Sequence, residues 1–132
     1  MFCYDRRNGN LLFAANGDPT SAMNWSTEIA DAIGDVGAHV SMTTLPIRSA
    51  DGKVLGAAPL AVYQDVGSGD TRLAFRQAGT WQVVNIASEG LTGFDTSIDA
   101  VGSGYVLVGY RRFDVASFTS SFSIQRLLPF GE

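Results

Sequence analysis

Arginine supplies nearly all of the basic side chains in this sequence. Eight of the nine basic residues are Arg (6, 7, 48, 72, 76, 111, 112 and 126) and only Lys53 is Lys. That bias favours planar, forked contacts that grip a carboxylate or sulfate through paired bonds, although an arginine-rich coding bias would give the same count. Arg6-Arg7 and Arg111-Arg112 come just after Tyr4 and Tyr110. A duplicated fold would carry them to matching places, where Arg7, Arg111 and Arg112, with Tyr63, form a candidate anion-binding set. The competing reading is structural. Adjacent residues on a strand point to opposite faces, and the matching place in the middle of the chain is Gln64-Asp65, so solvated strand ends or intersubunit salt bridges account for the same pattern.

The remaining candidates are weaker. Trp25 and Trp81 are candidate sugar-stacking residues and equally good packing residues. His39 is the only histidine and Cys3 the only cysteine, so neither an internal disulfide nor a thiolate metal cluster is expected, and His39 reads as structural or surface. Asp5, Asp65 and Asp114, with Asp70 or Asp99, lack any calcium-loop spacing and read as turn aspartates that bond backbone two residues on. No Gly-x-Ser-x-Gly elbow, phosphate-cradling glycine loop or dinucleotide fingerprint occurs. No catalytic residue, metal or cofactor is assigned.

The elements that must hold these residues are strands. With 132 residues, 45% of them hydrophobic and 17% charged, the chain reads as one globular domain. Short aromatic and β-branched runs alternate with Gly, Asp, Asn and Ser, about ten in all: 2–5, 11–14, 25–29, 39–45, 60–64, 72–77, 81–86, 97–100, 105–111 and 120–127. Asn8-Gly9, Asp51-Gly52, Gly67-Ser68-Gly69 and Gly102-Ser103-Gly104 supply residues for tight turns. Thr27 to Ile33 has some helical spacing but reads as strand followed by loop.

The strands repeat. Trp25, Gly34, Gly37 and Ser41 recur as Trp81, Gly90, Gly93 and Ser97, each pair 56 residues apart, which points to stacked or radial β units. In each unit a further strand ends in a Tyr with an acidic neighbour, Tyr4 with Asp5, Tyr63 with Asp65 and Tyr110 with Asp114, and the first interval carries an insertion, most simply Pro46 to Ala58.

This order of Tyr-x-Asp, a Leu-containing strand, then Trp, Gly and Ser before the next Tyr resembles the blades of β-propellers of the sialidase-like or exo-repeat type. The Asp box of sialidases, Ser-x-Asp-x-Gly-x-x-Trp, is not intact: Ser97-Ile98-Asp99 with Gly102, and Ser49-Ala50-Asp51-Gly52, come nearest and both lack the Trp. The resemblance implies an all-β fold of about ten antiparallel strands arranged as partial blades: a partial blade over 1–38, a full one over 39–88 and a partial one over 89–132. A closed β-barrel or β-sandwich is the alternative. The expected core is Leu73, Phe75, Val83, Ile86, Val106, Val108, Ile124 and the two tryptophans.

Propellers close with about four to eight blades, so such a chain is expected to complete itself as a homo-oligomer, a dimer or trimer, because an uncovered sheet edge invites pairing. The functional expectation is a non-catalytic binding or scaffolding module, lectin-like in character, with a carbohydrate or small anionic ligand. A sialidase-like or glycoside-hydrolase enzyme, or a structural fragment of a larger repeat protein, are the alternatives. A net charge of −4 and a pI near 4.8 argue against nucleic acid. No apolar stretch reaches the ~20 residues needed to span a bilayer as a helix, and no basic segment followed by an apolar run opens the chain. A soluble protein of undecided compartment is expected.

Overall fold

A computed structural model describes residues 1–18, 20–102 and 104–128; Ser103, the middle of one expected turn, lies outside them. Ten strands run in chain order: β1 (Phe2–Asp5), β2 (Asn10–Asn16), β3 (Trp25–Asp31), β4 (Val36–Arg48), β5 (Val54–Asp65), β6 (Asp70–Gln77), β7 (Thr80–Ala87), β8 (Leu91–Val101), β9 (Tyr105–Asp114) and β10 (Thr119–Leu127). They form three antiparallel sheets, β1-β2-β3, β4-β5-β6-β7 and β8-β9-β10, and no helix occurs among the described residues. The sheets do not close into a barrel, which removes that alternative.

Three hairpins, β1–β2, β5–β6 and β9–β10, leave their first strand at an aspartate for a local reason. Asp5 Oδ1 accepts the N–H of Arg7 at 3.1 Å, Asp65 Oδ1 that of Gly67 at 3.0 Å, and Asp114 Oδ1 that of Ala116 at 2.9 Å. These are the expected turn aspartates. Four residues after each comes a left-handed backbone, Gly9 at φ 68°, Gly69 at 77° and Phe118 at 55°. Glycine adopts this at no steric cost; Phe118 does not.

The duplication is visible in backbone irregularities as well as in residue types. The pairing of β2 with β3 slips between Leu11 and Leu12, and that of β6 with β7 slips between Thr71 and Arg72. His39 and Asp95, 56 residues apart, are both left-handed, at φ 52° and 50°. The N–H of Val36 bonds Gly9 O at 2.9 Å and that of Thr92 bonds Gly69 O at 2.7 Å, so the second and third sheets each begin by anchoring to a turn of the sheet before. The insertion around Asp51-Gly52 lengthens β4 and β5 into a long hairpin, pairing Pro46 with Ala57 and Ile47 with Gly56.

Alternation gives each sheet two faces, and the sheets stack in the order the chain makes them. Phe2, Leu11 and Val36 pack with Ala61, Tyr63 and Ala74 between the first and second sheets. Leu45, Leu60, Val62, Leu73 and Phe75 pack with Ile98, Val106, Val108 and Tyr110 between the second and third. Each fully buried aliphatic side chain contributes about 1.5–3 kcal/mol. The expected core holds for Leu73, Phe75, Val106 and Val108, while Ile86 is half-buried. It fails for Val83, Trp25 and Ile124, all exposed. Trp25 and Ile124 sit on the two end sheets of the stack, where no further sheet covers them; Val83 borders an open groove between β3 and β7.

Pairing also corrects the tyrosine repeat. Tyr63 lies opposite Arg72, and Cys3, not Tyr4, lies opposite the corresponding Leu12. The structural interval is therefore 60 residues, as in Asp5 to Asp65, and the 59 between Tyr4 and Tyr63 puts the two rings on opposite faces. Arg6-Arg7 and Arg111-Arg112 are likewise not equivalent. The first pair is in the β1–β2 turn, after its aspartate; the second is within β9, before its own.

Candidate functional site

The most polar buried cluster lies between the first two sheets. Arg72 projects from β6 and spends its donors there: Nη1 bonds Asp31 Oδ2 at 3.0 Å and Ile33 O at 2.6 Å, Nη2 bonds Asp65 Oδ2 at 2.7 Å, and Nε bonds Asn85 Oδ1 at 3.1 Å. Tyr63 Oη donates to Asp31 Oδ2 at 2.8 Å. Burial first, and then the bond to Asp31, push the Tyr63 phenol far above its usual range. It stays a neutral donor to Asp31.

Both carboxylates are almost fully enclosed and each takes a backbone N–H besides, Ile33 on Asp31 and Gly67 on Asp65. A guanidinium carries five N–H donors, and four bonds already hold this one. Its charge is matched by two carboxylates, so the groove outside it, about 550 Å³ and bordered by Ile33, Trp81, Val83 and Asn85, gains no net positive charge from Arg72. The cluster is a clamp between sheets. Sequence reasoning missed it because Asp31 and Asp65 lie 41 and 7 residues from Arg72, with no local motif.

A second groove, about 290 Å³, lies between the second and third sheets beside Arg112, Glu89, Tyr110 and Gln125. There Gln125 Nε2 donates to Tyr110 Oη at 2.6 Å and Arg112 pairs with exposed Glu89 at 3.2 Å. Arg111 pairs instead with Asp95 at 2.9 Å and lies 5.5 Å over the Phe94 ring, on the opposite face. Arg7 is exposed in its turn and its side chain makes no ion pair among the described residues. Arg7, Arg111, Arg112 and Tyr63 are thus placed in different surroundings, and the structure does not bring them together. His39 is exposed and meets Phe94 edge-on at 5.6 Å.

The two tryptophans differ in cover. Trp81 is half-buried against the first sheet, its ring 5.4 Å from Phe2 and 5.3 Å from Phe13, with Arg76 4.8 Å over it and its Nε1 donating to Glu28. Trp25, at the same place in the first sheet, is 50% exposed beside a shallow hollow of about 430 Å³ bordered by Met1, Phe13, Ala14 and Asn16. The Trp25 ring is thus the more open of the two, while Arg76 already lies over that of Trp81.

The far face of the third sheet is also apolar and open. Val106, Val108 and Tyr110 point to the second sheet, so Leu107, Gly109 and Arg111 point away, together with their partners Phe122 and Ile124. Phe122 is 61% and Ile124 68% exposed. With Ser97, Asp99, Leu107 and Gly109 they border a hollow of about 200 Å³.

Among the described residues no helix is long and apolar enough to cross a membrane. Comparison with family models, with curated proteins and with solved structures finds no match to this chain.

Proposed function

We propose that this protein is a non-catalytic binding and scaffolding module, built of partial propeller-like blades, that works by assembling with further copies of itself. The carrying observation is the contrast between its interior and its ends. The polar side chains suited to chemistry, Arg72, Asp31, Asp65 and Tyr63, are bound to one another, whereas the outer faces of both end sheets expose Trp25, Phe122 and Ile124. An apolar surface ringed by polar residues marks an interaction site.

A sialidase-like enzyme would require the arginines and Tyr63 to converge on one polar pocket, and their separate ion pairs speak against it. A carbohydrate remains the small-molecule reading, with Trp25 as its platform. Light scattering on the purified chain over a concentration series tests the reading. A mass of two or three times 14.0 kDa is expected; a single-chain mass at every concentration overturns it.

A further inference from the structure

We infer that copies join head to tail, the open face of the third sheet of one chain covering the Trp25 face of the first sheet of the next, with Phe122 seated on Trp25. This rests on the assembly reading above and specifies its contact.

The template is inside the molecule. Phe13 on the forward face of the first sheet touches Trp81 on the rear face of the second. Phe13 lies eight residues past Asp5, and Phe122 lies eight past Asp114. Both aspartates open equivalent turns, and strand alternation puts both rings on forward faces. Trp81 pairs with Arg76, eleven residues past Asp65, and Trp25 pairs with Asn16, eleven past Asp5. The end faces therefore carry the two halves of a contact that the chain already makes once.

Shape agrees with this. Phe122 stands over Gly109, so close that a Cβ there would lie 2.7 Å from the ring, and Ile124 projects beside it. The opposing face offers the hollow next to Trp25.

The join uses two different surfaces, so it is heterologous, and such joins make a ring when the rotation closes and a filament when it does not. Two copies supply six sheets, within the four to eight of closed propellers. Face-to-face stacking thus takes the place of the edge pairing expected from the sequence.

Mixing separates this arrangement from any other. Trp25→Glu spoils one face and the double substitution Phe122→Glu, Ile124→Glu the other. All three positions are exposed, and far-ultraviolet circular dichroism checks the fold. Should Trp25→Glu misfold, Trp25→Ser, which removes the exposed ring without adding a charge, carries the same test. Each variant alone is expected to run as a single chain, and an equimolar mixture as a pair, because one intact join survives between unlike chains. If both variants assemble like the parent chain, or if the parent assembles and the mixture does not, the head-to-tail join is wrong while the assembly reading stands. A parent chain that is monomeric throughout removes both.

Discussion

Phe13 and Trp81 meet across the first sheet-to-sheet interface at 5.3 Å between ring centroids, 60° apart in plane. Phe2 and Arg76 complete the cluster, and it is the only large aromatic contact between these two sheets among the described residues. Trp81→Ala removes it and is expected to cost about 3 kcal/mol. Trp25→Ala, at the same register position but half exposed, is expected to cost under about 1 kcal/mol in dilute solution. Urea unfolding of the two variants measures the difference, and equal losses would show that the two positions are packed alike.

The Arg72 clamp holds two buried carboxylates. Arg72→Met leaves both without their cation, and breaking a buried pair from one side costs about 3 kcal/mol or more. Adding Asp31→Asn and Asp65→Asn is expected to recover part of that loss. A denaturation midpoint unmoved by Arg72→Met would mean that solvent already reaches the cluster.

Acid sensitivity is expected to come from the turns. Asn8, through its side-chain amide and then with the N–H of Arg7, lowers the Asp5 carboxyl below 3.8, and the N–H groups of Ser117 and Ala116 do the same for Asp114. A carboxyl whose folded value lies below its unfolded one stabilises fully above the unfolded value, near pH 4, and loses that contribution as pH falls through the lower folded value. Asp5→Asn with Asp114→Asn is therefore expected to be less stable than the parent at pH 6 and to lose less on acidification to pH 3. A parallel fall of both proteins across this range would place the acid sensitivity elsewhere.

The sequence carries the strands and turns clearly, because period-two alternation and Asp or Gly punctuation are local signals. The 56-residue spacing of Trp25 and Trp81 also survives as a true structural equivalence, down to matched slips in pairing. Less is legible where a single residue decides. Tyr4 and Tyr63 look equivalent at 59 residues, but the structural interval is 60, and one residue turns a side chain to the other face of its strand. Alternation reveals that Phe122 and Ile124 share an apolar face; it cannot reveal whether a neighbouring sheet lies over it. The role of Arg72 was hidden for a related reason, since its acceptors on β3 and at the end of β5 meet it only after two sheets have packed.

The proposed head-to-tail join requires that Trp25 be covered when chains associate. Its fluorescence in a Trp81→Phe background, followed against protein concentration together with the scattering mass, reports this directly. A blue shift of the emission that rises in step with mass is the predicted result. Emission that stays that of a solvent-exposed indole while the mass doubles would contradict it.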